Sequence, residues 1–364
     1  VIASPNLPVW GEPAPWFKAH ALSGNPSYAF DTAAGRPILL LFFGSAAQPV
    51  CARALQQVLA NRALFDDANG CFFGVTIDPA DEAQGRIAQQ LPGIRFFLDY
   101  DREISRMFGA SEGDAYTPFW LVLDRQLRVA GRFALPDASQ AMSCLSALGG
   151  DDVVPTWAPV LLVPRVLEPE LCRHLIDLYD ARGGEESGFM REIDGKTVGV
   201  VDPSHKHRSD LTIEDEELRR ALMVRVHNRL APMIQRAFQF RATRMERYIV
   251  ACYDSAAGGH FRAHRDNTTK GTAHRRFAVS INLNAEDFEG GDLCFPEFGQ
   301  RLYRPPTGGA VVFSCSLLHE ARPVTRGRRF AFLPFLYDDA AAAIREQNNV
   351  YLAENVGAYS RDEC

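Results

Sequence analysis

Between residues 247 and 335 the chain is cut repeatedly into short apolar segments by glycine, proline and aspartate, and this interruption limits the folds open to it. Residues 247–253, 277–283, 292–295, 310–313 and 328–335 are each of strand length, with Gly258-Gly259, Gly290-Gly291 and Gly308-Gly309 between them. Many short strands with turn signals at this spacing predict a jelly roll, or double-stranded β-helix. Upstream, Leu218, Leu222, Val226, Leu230 and Ile234 recur at helical spacing and predict a supporting helix, which Pro232 should kink or end near its last turn. His227 lies one step from that stripe and reads as a structural histidine. Leu171, Leu175 and Leu178 predict an earlier helix with Pro169 in its first turn. Residues 187–208 are loop-rich, with a short strand expected at 197–201, and loops of this kind often form substrate lids.

The first 150 residues follow a different grammar. Residues 37–43 form a continuous apolar run, which suits a strand buried on both faces. Pro49 can open a helix that continues through Leu55, Leu59 and Leu64. Residues 71–77, 95–98, 119–123 and 129–133 read as further strands, with a short helix at 82–90. Strands alternating with helices predict an α/β sheet domain. Gly149-Gly150-Asp151-Asp152 reads as a linker, so the expected division is 1–150 and 151–364. A chain of 364 residues suits two domains better than one core.

Charge narrows the partners. Residues 1–150 hold 11 basic and 14 acidic side chains, and residues 151–364 hold 28 and 31. Neither half carries a basic stripe, so no nucleic-acid partner is expected, although His205-Lys206-His207-Arg208 forms a local basic patch. No apolar run approaches the ~20 residues that span a bilayer, so no membrane partner is expected either. The first residues do not read as a secretory signal. Eight cysteines lack any CxxC pair and several sit in apolar runs. They read as buried free thiols in a reducing, cytoplasmic setting, with a disulfide framework the weaker reading.

The chemistry concentrates around residue 264. His264 and Asp266 are two apart, so in an extended segment both face the same side. His319 follows the apolar run 310–313 and lies 53 positions after Asp266, far enough for the chain to cross a barrel and return. Two histidines and one carboxylate form the facial triad of non-haem iron(II) oxygenases and leave three open positions. A bidentate 2-oxo acid can take two of them and dioxygen the third. The competing reading is a structural zinc site, or chance ordering on a binding-only barrel. His260, four before His264 and just after Gly258-Gly259, is expected to lie in the loop or behind the ligands and not to be a ligand itself; His274 also sits nearby.

Two resemblances bear on this pattern. The C-terminal half resembles the prolyl-4-hydroxylase-like branch of the 2-oxoglutarate/iron(II) dioxygenases, through His264-x-Asp266, His319, the segment from Pro323 to Arg329, and Val250-Ala-Cys-Tyr253. The resemblance implies Fe(II) held by His264, Asp266 and His319, with 2-oxoglutarate as cosubstrate. It places a basic residue nine or ten positions after the distal histidine on the far carboxylate of 2-oxoglutarate. Arg328 fits nine and Arg329 ten, and the pattern Gly-x-Arg favours Arg329. A guanidinium fork suits a carboxylate. Tyr253 would line the cosubstrate pocket, and Asn282 stands where some relatives have a carboxylate-binding tyrosine. The implied reaction is hydroxylation of a peptidyl or small-molecule substrate by dioxygen, with release of succinate and CO2 and with ascorbate as a stimulant.

The N-terminal half resembles a degenerate peroxiredoxin of the thioredoxin superfamily, through Gly11-Glu-Pro-Ala-Pro-Trp-Phe17, Phe42-Phe43 and Pro49-Val-Cys51, with Thr117-Pro118 resembling the cis-proline segment. Cys51 matches the peroxide-reducing position. Gly44 and Gln48 replace the expected proline and threonine, and Pro118 replaces the activating arginine. The expected whole is therefore a two-domain chain: an α/β thioredoxin-like domain, then a double-stranded β-helix (jelly-roll) domain with supporting helices. Two other functions stay open, a thiol-dependent redox enzyme acting through Cys51 and a non-catalytic binding or scaffold protein.

Overall fold

The structure, a computed structural model, describes residues 8–149 and 156–361. The chain divides into two compact units, Val1–Thr156 with Pro296–Gly299, and Trp157–Phe295 with Gln300–Cys364.

The N-terminal unit is built on a five-stranded sheet. Its strands are β1 (Ile38–Gly44), β2 (Cys71–Thr76), β3 (Ile94–Leu98), β4 (Phe119–Leu123) and β5 (Val129–Ala134), in the order β3-β2-β1-β4-β5. β1, β2 and β3 are parallel; β4 runs antiparallel to β1, and β5 antiparallel to β4. β1 is apolar without alternation because both faces are covered. Leu39, Leu41 and Phe43 meet α1 (Pro49–Ala60) and α4 (Ala138–Gly149) in one core, whereas Phe42 stacks on Phe119 on the other side. The short helices α2 (Pro79–Ala83) and α3 (Glu103–Met107) complete the unit.

Three expectations change here. The helix placed at 82–90 begins earlier, because Asp78 caps Ala80 N and Pro79 fits the first turn, and it stops before Gly85 at φ +62. Helix α4 runs through Gly149, so that residue is not in a linker, and 150–152 lie outside the described residues. The cis peptide among the described residues is Leu91-Pro92, not Thr117-Pro118.

The C-terminal unit carries two antiparallel sheets. The larger, of nine strands, contains β6 (Leu161–Val163), β7 (Glu185–Glu186), β11 (Ser209–Thr212), β12 (Arg244–Glu246), β13 (Ile249–Asp254), β15 (Phe277–Asn282), β18 (Ala310–Ser314), β20 (Arg328–Phe332) and β21 (Phe335–Tyr337). Its main path is β6-β18-β15-β20-β13-β11-β7. The smaller runs β10-β14-β19-β16-β17, formed by β10 (Lys206–His207), β14 (His260–His264), β16 (Leu293–Cys294), β17 (Leu302–Tyr303) and β19 (His319–Ala321). A separate hairpin, β8 (Phe189–Ile193) and β9 (Lys196–Val200), occupies much of the segment expected as loop.

Helices cover the outer face of the larger sheet. α5 (Pro169–Arg182) contributes Cys172, Leu175 and Tyr179 to the core, and α6 (Glu216–Arg225) and α7 (Ala231–Phe238) contribute Leu222 and Ile234. Pro232 does not end the helical run but lies in the first turn of α7, where the regular α-helix has already been interrupted. A π-turn over Val226–Leu230 precedes it, and this widened turn accommodates the missing N–H. His227 falls on the outer side of that turn and is exposed, not structural core. No helix among the described residues is long and apolar enough to cross a membrane.

Candidate metal centre

Two neighbouring strands of the smaller sheet bring His264, Asp266 and His319 to one point. His264 ends β14, and the cross-strand register pairs it with His319 at the start of β19. Asp266 follows in the turn after β14, and two ties fix that turn: Asp266 N donates to Cys315 O at 2.9 Å and Asn267 Nδ2 to Ser316 Oγ at 2.8 Å. The segment 315–316 also leads into β19, so the same loop positions the carboxylate and the distal histidine. His260 opens β14 instead of lying in the preceding loop, and its ring contacts Gly258 O rather than the cluster. Its spacing from His264 crosses a β-bulge between Phe261 and His264, which spoils simple parity.

One ligand atom from each of the three residues lies within 4.8 Å of the others. Asp266 Oδ1 is 3.5 Å from His264 Nε2, and Oδ2 is 3.4 Å from His319 Nε2. Each Nδ1 is occupied from behind, His264 by Arg262 O at 2.7 Å and His319 by Leu317 O at 3.0 Å. A backbone carbonyl fixes the N–H on Nδ1 and leaves Nε2 as a lone-pair donor. Burial, reinforced by His319, pulls the His264 pKa down to about 4, so the ring is neutral at neutral pH. Burial works against the Asp266 charge, but His319 and His264 hold its carboxyl well below the usual range. Neutral imidazoles and an ionised carboxylate are the ligand forms. The donor set therefore fits a divalent transition metal.

A pocket opens from this cluster into the space lined by Tyr253, Ser280, Leu293, Phe313, Leu333 and Arg329. Tyr253 and Arg329 are cross-strand partners, as are Asn282 and Ala331. This register puts Tyr253, Arg329, Ser280 and Asn282 on the inner face. Arg329 is 3% exposed; its Nη2 donates to Ser280 Oγ at 2.9 Å and its Nε to Asn282 Oδ1 at 3.3 Å. Its Nη1 is buried with no acceptor, and burial lowers the guanidinium pKa. Gly291, at φ +68, leaves room for this side chain, since a Cβ there would stand 3.2 Å from Arg329 Cδ. Arg328 points the other way, 44% exposed and paired with Asp180 at 2.8 Å.

The basic patch expected at 205–208 is not a surface feature. Lys206 and Arg208 are buried, and Arg208 lines the pocket. Arg208 Nη2 meets Asp210 Oδ2 at 2.7 Å and its Nη1 donates to the Tyr253 hydroxyl at 3.2 Å. Arg247 reaches the same Asp210 oxygen at 3.2 Å. Sequence reasoning missed Arg208 and Arg247 as pocket residues, and Asp210 as the carboxylate they share.

Cys51 lies in the N-terminal unit, fully buried, with Sγ donating to Phe43 O at 3.0 Å. Burial raises its pKa, and Asp81 raises it further. Asp81 is itself buried and accepts from Thr76 Oγ1 at 2.6 Å and from Ala46 N at 2.9 Å. A carboxylate stands near the thiol where a reactive cysteine needs positive charge.

Comparison with known proteins matches both halves. Residues 248–337 match the 2OG-Fe(II) oxygenase superfamily, and residues 10–132 match the AhpC/TSA family. A PKHD-type hydroxylase of Pseudomonas fluorescens is 38% identical over 91 residues, 23% of this chain, and the match spans only 39% of that relative. One from Stutzerimonas stutzeri is 29% identical over 147 residues, 38% of this chain and 64% of its own length. A crystal structure of a Pseudomonas putida prolyl-4-hydroxylase is 19% identical, with a TM-score of 0.38, covering 50% of this chain and 94% of that one. Part of the C-terminal half thus resembles the 2OG-Fe(II) oxygenases, PKHD-type hydroxylases among them, and the N-terminal half resembles the AhpC/TSA proteins.

Proposed function

We propose that this protein is an Fe(II)- and 2-oxoglutarate-dependent hydroxylase of a peptidyl or small-molecule substrate. The carrying observation is the convergence of His264, Asp266 and His319 within 4.8 Å, beside a buried arginine whose Nη1 lacks an acceptor. In this reading residues 151–364 form the dioxygenase domain, with the two sheets as a double-stranded β-helix, and residues 1–150 form a thioredoxin/peroxiredoxin-like domain. Iron(II) with 2-oxoglutarate and dioxygen supplies the chemistry that releases succinate and CO2 and places one oxygen atom in a substrate C–H bond.

The chain's own residues bind and orient. His264, Asp266 and His319 would hold the metal, and a two-histidine, one-carboxylate donor set would leave it positions for ligands. Arg329 takes the far carboxylate of 2-oxoglutarate, with Ser280 and Asn282 fixing its fork, and Tyr253 forms the adjoining wall. Phe313, Leu293 and Leu333 keep water from the reacting centre. The free thiols among the described residues are buried or partly buried, in keeping with a reducing, cytoplasmic setting. The test is succinate release that needs 2-oxoglutarate and iron(II), with and without ascorbate. Release that survives Cys51→Ala supports the reading; hydroperoxide consumption that Cys51→Ala abolishes, without succinate release, would replace it with thiol chemistry.

A further inference from the structure

Three guanidinium groups line the pocket: Arg208, Arg247 and Arg329. The proposed hydroxylase function gives a task to Arg329 alone, and the charge balance of the pocket rests on that reading. Iron(II) and Arg329 bring three positive charges, and Asp266 with the 2-oxoglutarate dianion brings three negative ones, so that set is neutral by itself. Arg208 and Arg247 remain, and they share a single carboxylate. Both reach the same oxygen, Asp210 Oδ2, at 2.7 Å and 3.2 Å. One positive charge is left over, facing the pocket.

The local chemistry marks that charge as unsatisfied. Arg208 is 5% exposed, and its Nε is buried with no acceptor. The Arg247 side chain is 28% exposed and lines the pocket; its Nη2 bonds Asp210 and its guanidinium lies over the Phe335 ring at 5.4 Å, which leaves its other N–H groups open to a ligand. Burial, then Arg208, pulls the Arg247 pKa down to about 10, which a facing anion would reverse. Nearby Lys206 is pushed down to about 5 by burial and then by Arg208, so it adds no charge of its own. Arg247 also sits at φ +66, a backbone conformation costly for a residue with a side chain, between β12 and β13. Strain, surplus charge and open donors coincide on one residue at the pocket wall.

We propose that Arg247, backed by Arg208, holds a carboxylate of the primary substrate, so the substrate class of this site is anionic. A planar two-oxygen anion matches the guanidinium fork. Arg208 also donates to Tyr253, so the carboxylate subsite and the cosubstrate pocket share a wall.

The experiment uses the full chain loaded with zinc(II) and saturating 2-oxoglutarate. Ligand-observed NMR then measures binding of N-acetylglycine, of its neutral analogue N-acetylglycinamide, and of methyl phosphate. The expected result is a preference of at least about tenfold for the acid over the amide. Arg247→Gln should erase that preference, and Arg247→Lys should keep part of it. 2-Oxoglutarate affinity, titrated separately, should stay within about threefold in both variants. Equal binding of acid and amide overturns the inference, as does an acid preference unchanged in Arg247→Gln. Methyl phosphate binding tighter than the acid overturns the assignment to a carboxylate. A loss of 2-oxoglutarate affinity equal to the loss of acid affinity overturns it too, because Arg247 would then serve the cosubstrate. A wild type that binds no 2-oxoglutarate refutes the oxygenase reading itself, and the charge balance of the pocket with it.

Discussion

Replacing Arg329 with alanine is the perturbation that separates cosubstrate binding from metal binding. Arg329 is 3% exposed, and its bonded partners are neutral, Ser280 Oγ and Asn282 Oδ1. A buried guanidinium held only by neutral groups carries a desolvation cost that a carboxylate ligand offsets. Truncating one side of such a charge-assisted pair costs roughly 2–5 kcal/mol, part of it from the carboxylate left unpaired. At ~1.4 kcal/mol per decade, the dissociation constant for 2-oxoglutarate should rise about thirtyfold to several-thousandfold. Arg328 is the internal control. Its neighbour position on β20 turns it to the opposite face, where it is 44% exposed and paired with Asp180. Losing that exposed pair costs at most about 1 kcal/mol of stability and should leave 2-oxoglutarate affinity unchanged. The assay is calorimetric titration of 2-oxoglutarate into zinc(II)-loaded wild type, Arg329→Ala and Arg328→Ala, with metal content measured in each. Metal content should be equal in all three. A crippled Arg328→Ala would mean that the register of β20 is wrong. Normal binding by both variants would refute the cosubstrate assignment, although the metal cluster could survive.

Three further outcomes are expected. His264→Ala, Asp266→Ala and His319→Ala should each lose stoichiometric metal and all 2-oxoglutarate-dependent turnover; full activity in any one of them removes that residue from the ligand set. Cys51, buried and with its pKa raised by burial and by Asp81, should react with iodoacetamide at pH 7 more slowly than free cysteine in the same tube, as read by mass spectrometry, and faster alkylation would restore it as a reactive thiol. Lys206 is neutral in the fold between about pH 5 and its unfolded pKa, so the unfolded chain binds the extra proton there and the cost of burying Lys206 falls as pH rises toward the unfolded value. Lys206→Met should remove up to about 1.4 kcal/mol per pH unit of that slope between pH 6 and 9 in urea unfolding, and an unchanged slope would mean that the lysine stays charged.

What the sequence made legible was whatever depends on a single period. The alternation in β20 separated Arg329 from Arg328, whereas Asp266 reaches the side of His264 from the turn after β14 and not by strand period. Helix faces were equally clear where Leu175 or Leu222 and Leu230 met the sheet. Failures came where local geometry interrupts the period. The bulge between Phe261 and His264 moved His260 into a strand without bringing it to the cluster, and the π-turn at Val226–Leu230 let the helix run past Pro232.

The missed pocket wall is the most instructive case, because its signal was present. Lys206, Arg208 and Asp210 are each two apart, the strand period, yet residues 205–208 read by composition only as a local basic patch. The structure passes the chain from the smaller sheet, at β10, to the larger, at β11, with Arg208 at the crossing. Both flanking strands therefore turn this set of charges inward, and the intervening His207 and Ser209 fall on the other side. Charged residues repeating at strand period can be tolerated inside only if they neutralise one another or meet a ligand. Asp210 neutralises one of the two arginines and burial discharges Lys206, which leaves Arg247 and Arg208 together with one charge for something the chain itself does not supply.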